Sequence, residues 1–138
     1  MNKKVSYEIP DMSQTLAESL GIRFMQIEEG LVRASMPVDA RTCRPGGILN
    51  GGASLALAET MAGYGSIPLC KEGYTPCGIQ VSGNHVKMAP VGSMVEGTAR
   101  LVHHGRTMHV WNVDITLADG SLVSTVRVVN LIVKQPQS

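Results

Sequence analysis

Between Arg44 and Lys71 the chain carries a single formal charge, Glu59, in the segment Pro45-Gly-Gly-Ile-Leu-Asn-Gly-Gly-Ala-Ser-Leu-Ala-Leu-Ala-Glu-Thr-Met-Ala-Gly-Tyr-Gly-Ser66. A helix with almost no charged face does not lie on a water-covered surface. The segment therefore predicts a helix sunk into a core, running from Asn50 or Gly51 to about Pro68. Asn50 is a good N-cap, and the small residues Gly52, Ala53, Ala56 and Gly63 predict close approach by a covering sheet. A carboxylate in such surroundings loses water on folding, which costs on the order of several kcal/mol unless it is paired or hydrogen-bonded. Glu59 is thus expected to serve either an internal contact (a Lys or Arg partner, or a local hydroxyl such as Thr60) or chemistry.

The flanks of this helix read differently. Asp11 predicts the cap of a short helix through about Leu20, with Gly21 as its stop. Two strands follow, Ile22–Glu28 and Leu31–Pro37, turned at Glu29-Gly30, and then an irregular stretch from Val38 to Ile48. After Gly78 the pattern is strand-like to the end: Ile79–Met88, Met94–Val102, Met108–Leu117 and Leu122–Val133. In the third of these, His109, Trp111, Val113, Ile115 and Leu117 share one face. Asp119-Gly120 signals a tight hairpin, and His104-Gly105 the turn before it. Helix, two strands, one long helix and four strands make an α+β class. The 138 residues read as one domain, with 1–20 forming an N-terminal tail and short helix.

Composition excludes several function classes. The net charge is +1 and the longest basic run is Lys3-Lys4, so neither nucleic acid nor an anionic membrane is an expected partner. One Phe and one Trp provide no stacking platform for bases. The stretch 45–70 has the length of a membrane span, yet its glycines, Pro45, Pro68 and Glu59 favour a buried helix. The N-terminus lacks the apolar run of a secretory signal. Cys43, Cys70 and Cys77 are odd in number and without metal spacing, which predicts a reducing, cytoplasmic setting. The four His residues lack ligand spacing, so no metal is expected. No Gly-x-Ser-x-Gly elbow is present, and Ser54 and Ser66 read as packing residues.

Three motifs, Met36-Pro-Val-Asp-Ala-Arg-Thr42, the run Pro45 to Glu59, and Asn84-His85-Val86, resemble the hotdog-fold acyl-CoA thioesterases. The nearest likeness is to the subgroup with the menaquinone-pathway dihydroxynaphthoyl-CoA and enterobactin-proofreading thioesterases, with the phenylacetate-pathway enzymes more distant. The resemblance spans roughly residues 20–134. It implies one curved antiparallel six-stranded sheet wrapped around a long central helix. It also implies hydrolysis of an acyl-CoA without a cofactor, CoA being part of the substrate. Glu59 falls on the family's catalytic carboxylate, and Gly51 falls where a backbone N–H polarises the thioester carbonyl. Asn84, His85 and Val86, with the turn His104-Gly105-Arg106, fall along the pantetheine and nucleotide path. The chain departs from the pattern at Asn50, where His is usual, at Arg44, where the nearest subgroup has Gln, and at Gly63, where some members carry a hydroxyl.

The chemistry suits these residues. A thiolate leaves easily, so a carboxylate held close to the carbonyl carbon suffices as nucleophile or general base. Partial loss of water would make it more basic while leaving it ionised. A helix N-terminus supplies unpaired N–H groups for the developing oxyanion. Asn50 and Glu59 are nine residues apart, about 13 Å along one helix, so one carbonyl cannot touch both. If both act on one thioester they come from two chains, which predicts a symmetric homodimer, alone or paired into a homotetramer.

Other residues keep two readings each. Asn50 is a cap or an oxyanion donor, Arg44 a solvated loop residue or a contact to the acyl group, and His85 a structural histidine or a pantetheine contact. Lys87, His104 and Arg106 are phosphate partners or simply exposed. Gly63, Ala62, Ser82 and Gly83 would leave room for an aromatic or medium-sized acyl group. The alternative function is a non-hydrolytic domain that binds acyl-CoA or an acyl carrier protein.

Overall fold

A computed structural model describes residues 5–136. The elements run α1 (Leu16–Leu20), β1 (Arg23–Glu28), β2 (Leu31–Pro37), β3 (Cys43–Arg44), β4 (Ile48–Leu49) and α2 (Gly51–Ser66). A single 3-10 turn (Ile67–Leu69) leads to β5 (Tyr74–His85), β6 (Met94–His104), β7 (Met108–Thr116) and β8 (Leu122–Lys134). Six strands form one antiparallel sheet in the order β1-β2-β6-β7-β8-β5. β3 and β4 make a small separate hairpin just before α2, at the end of the stretch expected to be irregular and one residue past it.

Local chemistry accounts for the turns. Gly120 takes φ 86° between β7 and β8, and Asp119 Oδ1 accepts the Ser121 N–H at 2.9 Å. Gly21 ends α1 at φ 75°, as its position predicted. The start of α1 differs from expectation. Thr15 caps it, while Asp11 makes a local turn by accepting the Ser13 N–H at 3.0 Å. The first helical turn cannot run through Gln14, whose φ is 61°.

α2 lies across one face of the sheet, burying Ala53, Ser54, Leu57, Ala58, Met61, Ala62, Gly65 and Ser66. Its apolar residues join Val32, Met36, Val95, Ala99, Trp111, Val113, Val126 and Val128 in one core. Each large apolar side chain enclosed there contributes about 1.5–3 kcal/mol. Close packing depends on Gly65, where a β-carbon would stand 2.7 Å from Trp111 Cη2 and 2.8 Å from Val32 Cγ2. The small residues that meet the sheet are therefore Ala53, Ala58, Ala62 and Gly65 rather than the predicted Gly52 and Gly63. Around Gly63 a β-carbon would meet nothing within 4 Å.

The opposite side of α2 is open, and Glu59 is exposed on it. This corrects the expectation of a helix enclosed on all sides, because α1 covers only part of that face. β5 begins at Tyr74, earlier than the sequence suggested. Among the described residues it is an edge strand paired only with β8, so Pro76 interrupts no second ladder there. Among the described residues no helix is long and apolar enough to cross a membrane.

Candidate active site

Glu59 projects from the middle of α2 towards Gly78 of β5. A β-carbon on Gly78 would lie 2.8 Å from Glu59 Oε1, so only glycine leaves the carboxylate its place. Among the described residues Glu59 has no ion-pair partner, the sole salt bridge being Arg41 to Asp39 at 2.7 Å. No side-chain hydrogen bond among the described residues involves it either, so Thr60 does not cap it. The structural role weighed for Glu59, an internal pair, is not found among the described residues. An open cavity of about 290 Å³ adjoins the carboxylate, lined by Leu16, Gly63, Tyr64, Ile67 and Pro76, with hydroxyls from Thr15, Thr60 and Thr75. Ala62 is fully buried and does not face it.

The start of α2 forms a second locus. Asn50 Oδ1 accepts the Gly52 N–H at 2.8 Å, a standard cap, and its Nδ2 group has no partner among the described residues. Ala53 N–H donates to the Asn50 carbonyl at 3.0 Å, whereas the Gly51 N–H has no partner among the described residues. This unpaired donor carries the partial positive charge of the helix end. His85 stands over it: a β-carbon on Gly51 would be 2.7 Å from His85 Nε2, and His85 Nδ1 is 2.7 Å from Ser124 Oγ. A cavity of about 510 Å³ opens here, reached by Arg44, Gly51, His85, Val86 and Lys87. Arg44 Nη1 donates to the Pro45 carbonyl at 2.8 Å, and Lys87 Nζ donates to Ser121 Oγ at 3.1 Å.

The run from Ser82 to His85 does not act as a block. Gly83 lies against Leu55 of α2, 3.0 Å from its Cδ2 to an added β-carbon, and His85 reaches Gly51. Strand alternation then sends Ser82 and Asn84 to the face turned away from α2. His104, Gly105 and Arg106 form a third locus at the other end of the helix, around a cavity of about 340 Å³. One chain thus brings together Gly51, His85, Val86, Lys87 and Arg44, keeps Glu59 and Gly63 at a second place, and holds His104–Arg106 at a third.

Two supporting residues carry no motif of their own. Ser124 orients His85 from 39 positions away, which no local pattern reveals. The sequence places Gly78 ahead of the strand; inside β5 it marks both a bulge, with the register shifting between Gly78 and Gln80, and the close approach of Glu59.

An unpaired carboxylate beside an open cavity, and a free N–H at the start of the same helix, are groups suited to attack on a carbonyl and support of its oxyanion. Comparison with known proteins places the chain among thioester hydrolases. Residues 46–124 match the family described as the thioesterase superfamily. The chain is 39% identical over 117 residues to the 1,4-dihydroxy-2-naphthoyl-CoA hydrolase of Escherichia coli, covering 82% of each. It is 37% identical over 113 residues to the proofreading thioesterase EntH of Klebsiella pneumoniae, again covering 82% of each. The crystal structure of a Haemophilus influenzae thioesterase superposes with a TM-score of 0.85 at 32% identity, covering 91% of this chain and 87% of that one. The six-stranded sheet around α2 is the hotdog fold, and the chain belongs to the thioesterase superfamily as a thioester hydrolase.

Proposed function

We propose that this protein hydrolyses acyl-CoA to the free acid and CoA, with Glu59 as nucleophile or general base. The partner subunit's helix start (the Gly51 N–H, with Asn50 Nδ2 in support) polarises the thioester carbonyl. One observation carries this reading: Glu59 and the Gly51 N–H both lack a partner among the described residues, yet they sit about 12 Å apart on one helix, by the rise per residue. A second chain resolves the separation. β5 offers an unpaired edge with most of its residues exposed, and its isologous pairing in a homodimer would lay one copy's helix start near the other's Glu59. The same pairing would remove water from Glu59, which a single chain leaves exposed.

The cavity beside Glu59, about 290 Å³, sits at the lower end of small-molecule sites, and suits an aromatic or medium-sized acyl group. CoA as the thiol carrier draws support from the relative named as a CoA hydrolase. His85 and Val86 line the pantetheine arm, Lys87, His104 and Arg106 meet the CoA phosphates with Gly105 in their turn, and Arg44 and Gly83 reach the acyl group. Ser82 and Asn84 would reach substrate only across the subunit boundary. Three free cysteines agree with a cytoplasmic setting.

Free-thiol release from a panel of acyl-CoAs tests the reading, run for wild type and Glu59→Gln alongside sedimentation. Turnover by a dimer or a tetramer of paired dimers, abolished in the variant while CoA binding persists, is the expected result. Saturable binding without turnover would make the chain a non-hydrolytic binder, the reading that Asn50 favours because an amide, unlike histidine, carries no transferable proton. An active monomer would remove the two-chain mechanism.

A further inference from the structure

At the far end of α2 three buried polar side chains converge on one hydroxyl oxygen, that of Ser66. Ser66 Oγ is 2.8 Å from Trp111 Nε1, 3.1 Å from Asn130 Nδ2 and 2.9 Å from His109 Nδ1. Asn130 Nδ2 also donates to the Ala62 carbonyl at 3.2 Å, where an amide oxygen would face another oxygen, so its orientation is set. A hydroxyl has two acceptor lone pairs and one proton. The indole and the amide, pure donors at these atoms, fill both lone pairs. The Ser66 proton then has one acceptor left, His109 Nδ1, which must be bare. The imidazole therefore carries its proton on Nε2.

His109 is 2% exposed, and its Nε2 has no hydrogen-bond partner among the described residues. No buried side-chain nitrogen or oxygen among them lacks a partner, so Nε2 keeps its opening on the cavity that His109 lines. That cavity, about 340 Å³, also receives Lys71, His104 and Arg106, and no carboxylate lines it. The surroundings of His109 are cationic or neutral from every side. His104 meets its ring edge-to-face with centroids 4.8 Å apart, His103 follows on β6, Arg106 lies in the next turn, and Lys71, Cys70 and Tyr74 close the other wall. Burial, then His104 and His103, hold His109 below the ordinary imidazole range, which agrees with a ring kept neutral.

We propose that His109 is a binding residue for a phosphate group in this cavity, donating from Nε2–H beside Arg106 and Lys71. Ser66, Trp111 and Asn130 are the positioning residues that hold it in that tautomer. The acceptor is a phosphate rather than a carboxylate-bearing acyl chain, because two fixed cations and a neutral donor suit a multiply charged group with several oxygens. The assignment rests on the acyl-CoA reading only for the owner of that phosphate, CoA or a free phosphate.

Nitrogen-15 imidazole spectra of the full-length wild-type protein test it directly. Between about pH 8 and about pH 6 the His109 Nδ1 should stay bare and Nε2 protonated. Ser66→Ala should release that preference, and a proton on Nδ1 in the wild type would overturn the proposal. Adding CoA or inorganic pyrophosphate should shift the Nε2–H signal, whereas phosphate-free pantetheine should not. A response to pyrophosphate without one to CoA keeps the phosphate site and assigns it to a free phosphate. A His109 signal unmoved by both probes sinks the idea. His109→Phe should weaken CoA binding about ten- to hundredfold, the worth of a hydrogen bond to a charged group, with pantetheine unaffected. Because these readouts need no turnover, acyl-CoA hydrolysis with an unmoved His109 defeats this proposal alone. A shifted His109 without hydrolysis defeats only the catalytic reading.

Discussion

His85 Nε2 occupies the space that a β-carbon on Gly51 would need, at 2.7 Å, and its other ring nitrogen is held 2.7 Å from Ser124 Oγ. A strand residue and a helix start are thereby fixed against each other, beside a Gly51 N–H that has no partner among the described residues. Gly51→Ala should push the imidazole off Ser124 and cost about 1–3 kcal/mol in urea unfolding, as overpacking does. The double variant with His85→Ala should recover most of that loss. Equal destabilisation in the single and double variants would show that the contact is not the cause.

Glu59 stands exposed and unpaired, so its removal should barely affect the fold. Glu59→Gln is expected to change stability by no more than about 0.5 kcal/mol. Thioester hydrolysis should fall by at least about a hundredfold, the lower end of what a positioned acid–base group contributes. Thermal unfolding and thiol release on the same preparation check both halves.

Gly78→Ala places a methyl group 2.8 Å from Glu59 Oε1. The carboxylate is the free end of a flexible side chain, so the expected cost in melting temperature is small. The displaced carboxylate should nevertheless lower kcat, by up to about a hundredfold for a shift of roughly an ångström. An unchanged kcat would mean that the resting position of Glu59 is not its working position.

Gly63 faces the cavity beside Glu59 with nothing within 4 Å of an added β-carbon. Gly63→Ala should stabilise the helix by up to about 1 kcal/mol. Gly63→Leu should raise KM for aromatic acyl-CoAs while sparing acetyl-CoA. A uniform loss across all acyl groups would place the acyl chain elsewhere.

His109 gives stability a pH dependence whose sign follows from burial. Its folded value lies below the ordinary 6.5, so the unfolded chain takes up the proton first as pH falls. The contribution is complete above 6.5 and is lost below it, down to the folded value. Urea unfolding from pH 8 to pH 5 should show a decline starting near 6.5, and His109→Gln should flatten that part of the curve.

Much of this was legible in the sequence wherever the signal is local. The charge-poor run marks α2 and singles out Glu59, Asp119-Gly120 marks its hairpin, and alternation orders the last strands. The sequence reading begins this strand at Ile79, and the edge position of β5 explains how it extends back to Tyr74 through Pro76. Asp11 and Thr15 are both good caps, and the left-handed Gln14 between them decides for Thr15. The exposure of Glu59 could not be read, because composition reports what surrounds a residue along the chain and not which side of a helix remains open. Ser66 reads as a packing residue, since its partners His109, Trp111 and Asn130 are 43, 45 and 64 positions away.

The bulge in β5 has a consequence for how this strand can change length. Gly78 and Gly83 are an odd number of residues apart, and in a regular strand they would point to opposite sides. The extra residue at Ile79 absorbs the difference, so that one glycine accommodates Glu59 and the other Leu55. Deleting one residue between them can be taken up by ironing out the bulge, with every later side chain keeping its side. An insertion has no such reserve and would turn Gly83 and His85 away from α2, bringing Ser82 and Asn84 in. Natural variation in β5 should therefore tolerate a one-residue loss here and reject a one-residue gain.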